Sequence, residues 1–457
     1  MIVLVSIFLS FLLYLLGESG PTALTIGIIF LLLSRLLFQS TKTFAFREFT
    51  LLLYALNYLV SPLITYNLDQ DLVSYPMKIP QDEYFVLAIP GFLLFTFGVY
   101  SIKTSCFNID MKNVKELSVV NERFLKIIFV FGLLSRIATI FIEGELNFIL
   151  YLFGLIRFVS AFSLFSIRPK KYFLWPVIVL LFELTIGLIA GAYHDAIMWI
   201  IFFGLFYVYT IRPNTRQIIF LGSVGVSMVL GLQAIKFSYR EKVWQGDKSA
   251  SIESVVDIGS ENIKTDILFG EENLLSTLNR GNQAWIFAST VDNLNKNKDF
   301  QGLNNVNKYI EAALLPRFLA PNKIKSGDQE IFNEFSGHTL GEGTAMGLGI
   351  FADGYIAYGA WGVYIFGFVL GLIFSLTFKI VERWTKVSPF YVLMLLPLLN
   401  YAVRPDCELQ TTINHLFKGI LLYGFLVYLT RKRFTLDSKE NQRKLIHLNL
   451  AKGNGSR

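Results

Sequence analysis

Apolar residues fill most of this chain in runs of about twenty, separated by short polar segments. A bilayer core of about 30 Å needs roughly 20 apolar residues in a helix, so each run predicts a transmembrane span. The first run, "MIVLVSIFLSFLLYLLGESG", lacks a basic start and is followed at once by another, so we interpret it as a span rather than a signal peptide. Twelve spans are predicted, at about 1–17, 22–40, 49–66, 84–102, 124–142, 148–167, 173–190, 195–211, 217–235, 355–379, 388–403 and 415–430. The predicted fold class is therefore an all-α polytopic membrane protein with about 12 transmembrane helices.

One long polar stretch interrupts the spans and predicts a folded loop. The stretches "GEENLLSTLNRGNQAWIFASTVDNL" and "NVNKYIEAALLPRF" repeat apolar residues every three or four positions, which indicates amphipathic helices. The chain then divides into helices one to nine (1–235), a large, partly helical extracytoplasmic loop (236–345), helices ten to twelve (346–430) and a basic tail (431–457).

The charges indicate which side of the membrane each loop occupies. Charged residues make up only 16% of the chain, against about 25% in soluble domains. Lys and Arg concentrate in the loops on the tail side, whereas the short loops opposite are mostly acidic, with Lys78 and Arg404 as their cations. The positive-inside rule therefore predicts cytoplasmic termini and an external long loop. The net charge of +7 is explained by this asymmetry, so a nucleic-acid partner is not expected. Cys106 and Cys407 lie far apart without any metal-ligand spacing, and no metal site or cofactor is predicted.

External cations are unusual in this pattern and are candidate ligands for an anion. Lys236 and Arg240 are four residues apart at the end of span nine, on one helix face; snorkelling to lipid headgroups is the alternative. Arg280 lies in an amphipathic stretch, where a solvated helix face would also explain it. In "AALLPRFLAPNKIKSGDQE", prolines flank Arg317 and precede Lys323. Stiff backbone with cations suits a phosphate or carboxylate, and a plain solvated turn is the alternative.

A glycine-rich run before span ten carries candidates for proton transfer. In "SGHTLGEGTAMGLGIFADGYIAYGAWG", His338 and Glu342 are four residues apart and Asp353 follows. No strand precedes the glycines and no P-loop lysine follows, so a nucleotide loop is excluded. Imidazole and carboxylate groups are natural general bases, although an exposed loop histidine is often inert.

A polar row is predicted in "VRPDCELQTTINHLFKG". If a helix begins at Pro405, then Arg404, Glu408, Thr411 and His415 recur at intervals of four, three and four on one face. Such a row at the bilayer edge is costly unless its members pair or meet a ligand, so the choice is between a structural seam and a functional face.

Charges also occur within predicted spans. Arg136, Arg157 and Glu183 are of this kind. We expect Arg157 to pair with Glu183 as part of the architecture.

These motifs together resemble a known family. "AIKFSYR" at a span exit, "FQGLNNVNKYIEAALLPRFLAPNK", "GHTLGEGTAMGLGIFADGYIAYGAWGVYIFGFVLG" and "NYAVRPDCELQ" are similar in order and topology to segments of O-antigen and oligosaccharide repeat-unit polymerases of the Wzy type. The resemblance covers mainly residues 230–420. Asn322-Lys323 stands where Lys-Pro is common in that family, Asp353 where Glu is common, and "GAYHDAI" replaces a glycine-arginine element.

The resemblance implies a metal-independent, GT-C-like integral membrane glycosyltransferase. It would polymerise undecaprenyl-pyrophosphate-linked oligosaccharides, as donor and acceptor, at the periplasmic face of the bacterial inner membrane, to build O-antigen, capsule or a related polysaccharide. A chain-length regulator and a flippase of the same pathway would be partners, besides the lipid bilayer. In this interpretation cations bind the pyrophosphate, and one of four groups accepts the acceptor's proton. The pyrophosphate candidates are Lys236, Arg240, Arg280, Arg317, Lys323 and Arg404, with His415 in the polar row. The proton acceptors are His338 first, then Glu342, Asp353 and Glu408.

Three other functions remain open on the sequence. An O-antigen ligase would share the architecture and the pyrophosphate chemistry. A lipid-linked glycan flippase or other transporter would favour charges along a central cavity. A non-catalytic scaffold of a polysaccharide assembly complex would leave the external cations without a role.

Overall fold

The chain is described here by a computed structural model. It describes residues 2–69, 73, 75–189, 194–244, 270–297, 299–315, 324, 327, 329–341 and 346–435. Every regular element among these residues is a helix, which agrees with the predicted all-α class. The elements before the long loop are α1 (Ile2–Leu15), α2 (Gly20–Gln39), α3 (Phe46–Ala55), a π-helical turn (Leu56–Val60), α4 (Ser61–Asn67), α5 (Gln81–Tyr100), α6 (Met111–Val120), α7 (Glu122–Ala138), α8 (Glu145–Ile167), α9 (Pro169–Tyr172), α10 (Leu174–Ile189), α11 (His194–Ile211) and α12 (Thr215–Trp244).

The remaining helices lie in the loop and in the C-terminal part. They are α13 (Glu271–Arg280), α14 (Ala284–Asn297), α15 (Asn304–Leu314), α16 (Gln329–Ser336), α17 (Ile350–Val387), a 3₁₀ helix (Pro389–Met394), α18 (Leu395–Leu399) and α19 (Leu409–Thr430). The helices predicted from amphipathic periodicity in the loop are therefore present as α13, α14 and α15. Gly281 separates the first two, because its N–H bonds back to Thr277 O at 3.0 Å and ends α13 there.

Nine helices of the described part are long and apolar enough to cross a membrane, which is compatible with a membrane protein. They correspond to nine of the predicted spans. Of the other three predicted spans, one falls on Glu122–Ala138, a helix of 17 residues, and two fall on shorter apolar helices, Ile2–Leu15 and Pro389–Leu399. The last of these ends early because the chain turns at residues 400–403 instead of continuing as helix.

Two compact units make up the fold. The first combines residues 1–103, 213–376 and 401–415, and the second combines 104–212, 377–400 and 416–457. Neither unit is continuous in sequence, so elements far apart along the chain pack together in each.

Glycines allow two helices of the first unit to approach closely. A Cβ built on Gly367 of α17 would lie 2.6 Å from Gly91 O of α5, and one on Gly371 would lie 2.2 Å from Phe95 O. Small residues four apart let helix backbones touch in this way within membranes. The "GFVLG" repeat in α17 is therefore the packing surface for α5.

A kink divides α17 near its start. Tyr358 and Gly359 have non-helical angles, and Gly359 has a φ of 59°. The carbonyls freed just before the kink, on Ile356 and Ala357, accept N–H groups of residues 301 and 302 at 2.8 and 3.0 Å. A straight helix of 38 residues would be about 57 Å long, which is longer than a bilayer core. The kink separates the short segment that contains Asp353 from the rest of α17, whose length is closer to the thickness of the bilayer.

A buried ion-pair cluster lies in the second unit. Glu183 of α10 accepts from Arg157 of α8 and from Arg136 of α7, with Arg136 Nη2 at 3.3 Å from Oε1. The predicted Arg157–Glu183 pair is thus confirmed, and Arg136 is an additional partner. Arg157 is completely buried, and such a charge requires a partner in an apolar interior.

Candidate functional site

The site begins with a short non-helical segment, residues 401–408, between α18 and α19. Two buried tyrosines of the first unit hold its backbone. Tyr54 Oη donates to Ala402 O and Tyr58 Oη donates to Pro405 O, each at 3.1 Å. The expected helix start at Pro405 is therefore wrong: the helix begins at Leu409, and Tyr58 binds the carbonyl of Pro405 instead.

Asp353 holds the beginning of α19. Its Oδ2 accepts the backbone N–H of Leu409 at 2.9 Å, and its Oδ1 accepts Tyr309 Oη at 3.3 Å. The residue is only 3% exposed. A carboxylate at a helix N-terminus satisfies an otherwise orphan donor and interacts favourably with the helix dipole. This geometry favours a capping role for Asp353 over proton transfer.

Glu408 joins Gly327 to the same helix start. Its Oε1 accepts Gly327 N at 2.7 Å and Thr411 Oγ1 at 3.0 Å. Two residues later, within α19, Gln410 Nε2 donates to Ile324 O at 3.0 Å. Gly327 and Ile324 are therefore both attached at the start of α19, and Glu408 positions Gly327 there.

The glycine-rich run also packs against residues 401–408. A Cβ on Gly347 would lie 2.3 Å from Asp406 O, and Gly349 has a φ of 81° with Tyr58 Oη 2.6 Å from its built Cβ. Gln283 Nε2 donates to Gly347 O and Leu348 O, each at 3.1 Å. These glycines therefore allow a close backbone approach. We call the assembly of residues 346–353, 401–411, Ile324 and Gly327 the polar junction.

Among its described residues, the polar junction contains one cationic side chain, that of Arg404. Its Nη2 lies 2.9 Å from Asp406 Oδ2 and its Nε donates to Oδ1 at 3.3 Å, while the guanidinium lies over the Tyr401 ring at 5.1 Å. The Arg404 side chain is 14% exposed and that of Asp406 is 41% exposed. Arg404 is thus oriented at an accessible rim, where it can meet an anion.

His415 lies deeper than the predicted polar row implies. It is 1% exposed, and its ring packs against Tyr401 at 5.0 Å. Thr411 and His415 share a face of α19, but Arg404 and Glu408 precede the helix. The row predicted as one helix face is therefore only half helical.

His338 lies in a second cluster of the first unit. Its Nε2 is 3.1 Å from Ser289 Oγ, and its ring meets Trp285 edge-on at 5.2 Å; Trp285 in turn stacks on Tyr75 at 4.5 Å. Partial burial, and then the positive charge of Lys78, lower the pKa of His338. The imidazole is therefore neutral at pH 7 and able to accept a proton.

The side chains of the remaining predicted site residues lie outside the described part of the chain. Arg317, Lys323 and Glu342 lie outside the described residues. Lys236, Arg240 and Arg280 are on described helical backbone in α12 and α13, but their side chains lie outside the described part.

The turn after Arg280 is attached to α4. Ser61 Oγ donates to Gly281 O at 3.2 Å and Asn282 Nδ2 to Thr65 Oγ1 at 2.9 Å.

Several residues of these clusters had no role in the sequence prediction. Asp406 follows Arg404 by two residues, and this spacing of opposite charges is a signal that could have found it. Trp285 and Ser289, four apart on α14, show no pattern that distinguishes them from an ordinary buried helix face. Across the described residues, no group of three or more His, Cys, Asp or Glu side chains is arranged to hold a metal ion.

Comparison with known proteins links the chain to one family. A model described as a domain of unknown function, DUF8712, matches residues 82–386, which is more than half of the chain. The match includes the loop helices and all but the last residue of α17, and it ends before residues 401–411. No curated protein matches, and no solved structure matches.

Proposed function

The chain belongs to the DUF8712 family, a domain of unknown function, and we propose that it polymerises polyprenyl-pyrophosphate-linked oligosaccharide repeat units. The proposed enzyme is a metal-independent membrane glycosyltransferase that acts at the external face of the bacterial inner membrane. One lipid-linked glycan is the donor and another is the acceptor.

The observation that carries the proposal is the polar junction. Three of the four motifs on which the resemblance rests meet there: "FQGLNNVNKYIEAALLPRFLAPNK" through Tyr309, which donates to Asp353, the glycine-rich run, and residues 401–411. The fold therefore brings together motif segments that lie far apart in sequence, and Arg404 lies at the rim of the polar junction that they form. This supports an anion-binding role for it.

The reaction requires two kinds of group. The acceptor hydroxyl oxygen forms a bond to the anomeric carbon of the donor, the bond from that carbon to the phosphate oxygen breaks, and the polyprenyl pyrophosphate leaves. Arg404 is the proposed stabiliser of the negative charge on that leaving group. His338 is the proposed acceptor of the hydroxyl proton, because its imidazole is partly exposed and its lowered pKa keeps it neutral. Asp353 and Glu408 are positioning residues in this scheme.

Reconstitution tests the proposal directly. The purified full chain in liposomes receives lipid-linked repeat units and no nucleotide sugar, and the products are separated by gel electrophoresis. A ladder of longer glycans on the polyprenyl carrier is expected. Unchanged single units would refute polymerisation. Transfer of one unit to an added lipid A-core acceptor, without a ladder, would instead show a ligase. Movement of labelled units across the bilayer without new glycosidic bonds would show a transporter.

A further inference from the structure

The second unit contains an apolar groove that the proposed function does not use. Its cavity volume is about 120 Å³, and its walls come from α7, α8, the 3₁₀ helix and α19, with Ile128, Ile156 and Leu426 among them. An engineered apolar cavity of about 150 Å³ binds benzene, so a hydrocarbon segment is a physically suitable occupant.

Among the described residues that line the groove, no polar group is directed at a ligand. Its hydroxyls belong to Ser160 and Thr430. Ser160 donates to Leu125 O, and Thr430 donates to Leu426 O at 2.7 Å and also contacts Tyr391 Oη. Because these hydroxyls are already bonded within the protein, the lining presents apolar surface.

A cation is held at the rim of this groove. Arg433 follows α19, and its guanidinium lies 4.6 Å from the ring centroid of Phe124, which lines the groove. The buried side chain of Asn121 donates to Arg433 O at 3.0 Å, and the neighbouring Phe434 stacks on Phe390 at 3.9 Å. The turn is therefore anchored at Arg433 and at the residue that follows it, which places the charge beside the groove.

We propose that this groove binds a segment of one hydrocarbon chain of an anionic phospholipid, with the lipid phosphate beside Arg433. Apolar walls take up the chain, and the guanidinium offers charge-assisted hydrogen bonds to the phosphate. Phe124 contributes to both parts, because one ring lines the groove and carries the cation. The proposal concerns the second unit alone and does not depend on the glycan reaction.

Native mass spectrometry of the full chain in detergent tests this site with two probes, phosphatidylglycerol and phosphatidylcholine. The wild type is expected to retain one phosphatidylglycerol in preference to phosphatidylcholine. Arg433→Gln should reduce retention of phosphatidylglycerol by about fivefold, the equivalent of about 1 kcal/mol per cation near a lipid surface. It should reduce retention of phosphatidylcholine less, because the choline cation already offsets the phosphate charge of that lipid. Lys432→Gln, in the same exposed turn, is the matched control and should retain the wild-type preference.

A groove-filling variant tests the hydrocarbon part. Leu426→Trp inserts a large ring into the groove and should abolish retention of the bound lipid. Leu421→Trp, on the same helix but 59% exposed and outside the groove, should retain it. Equal retention by Leu426→Trp and Leu421→Trp, or by Arg433→Gln and Lys432→Gln, would overturn the proposal. If Leu426→Trp does not fold, the charge pair still decides the question.

Discussion

Asp353 Oδ2 accepts the backbone N–H of Leu409 at 2.9 Å, and this bond ties the start of α17 to the start of α19. The two residues are 56 positions apart in sequence. The bond determines where α19 begins, and residues 401–408 before it remain available for the polar junction.

Substitution of Asp353 separates its capping role from proton transfer. Asp353→Asn keeps an acceptor for Leu409 N, and its amide can donate to Tyr309 Oη, so polymerisation should remain near the wild-type level. Asp353→Ala removes the carboxylate that both buried donors bind and should destabilise the fold by ~2–4 kcal/mol, measured by thermal unfolding in detergent. Loss of activity in Asp353→Asn at unchanged stability would instead identify Asp353 as a base.

Arg404 is predicted to act on the charged leaving group. Arg404→Ala should reduce glycan extension by about 10²–10³, the usual effect of removing one charge-stabilising donor, without a loss of protein abundance. Arg404→Lys should restore part of the rate, because the charge remains while the fork geometry is lost.

The control for Arg404 is Lys296→Ala. Lys296 forms an exposed i,i+4 pair with Asp292 on α14, and such pairs contribute little. Equal rates in Arg404→Ala and Lys296→Ala would remove Arg404 from the reaction.

A pH profile tests His338. Its pKa is lowered in the fold, so the imidazole is neutral above that pKa and the rate should fall as the pH drops through it. Lys78→Gln removes a positive charge that lowers this pKa, and the acid limb of kcat/KM against pH should therefore move upward. The matched variant Lys296→Gln should leave the limb in place. If the acid limb of kcat/KM does not respond to Lys78→Gln and persists in His338→Asn, then it reports the titration of a group other than His338.

The kink in α17 can be tested with one methyl group. Gly359 has a φ of 59°, and a Cβ there would lie 2.8 Å from the Phe300 ring. Gly359→Ala should cost at least ~1–2 kcal/mol from the left-handed conformation alone. Gly222→Ala in α12, where nothing lies within 4 Å, should be neutral or slightly stabilising. A melting temperature for Gly359→Ala equal to that of Gly222→Ala would argue against the kink.

The Glu183 cluster predicts strong non-additivity. Glu183→Leu leaves two arginines without their carboxylate and should destabilise the second unit by ~3–5 kcal/mol. The double variant Arg157→Leu/Glu183→Leu should be less destabilised than the sum of its single variants, because no fully buried charge then remains unpaired. Additive losses in a double-mutant cycle would show that the contact carries no coupling.

Local chemistry made part of this molecule predictable. Apolar runs of helical length predicted all nine long apolar helices of the described part, because the bilayer requires such runs and polar backbone groups must bond within the helix. The loop helices followed from periodicity. The Arg157–Glu183 pair followed from the cost of isolated charges in apolar surroundings.

The sequence alone therefore determined the helical class, most helix positions and the residues that carry unusual charge. Tertiary structure decided which of them meet. The start of α19 moved from Pro405 to Leu409 because Tyr58 and Asp353 bind the backbone there, and neither contact has a local signal. Likewise, Trp285 meets His338 only because the folded chain brings α14 beside the segment that follows α16. Periodicity reports which face of a helix is apolar, whereas the partner of a polar side chain depends on contacts between segments distant in sequence.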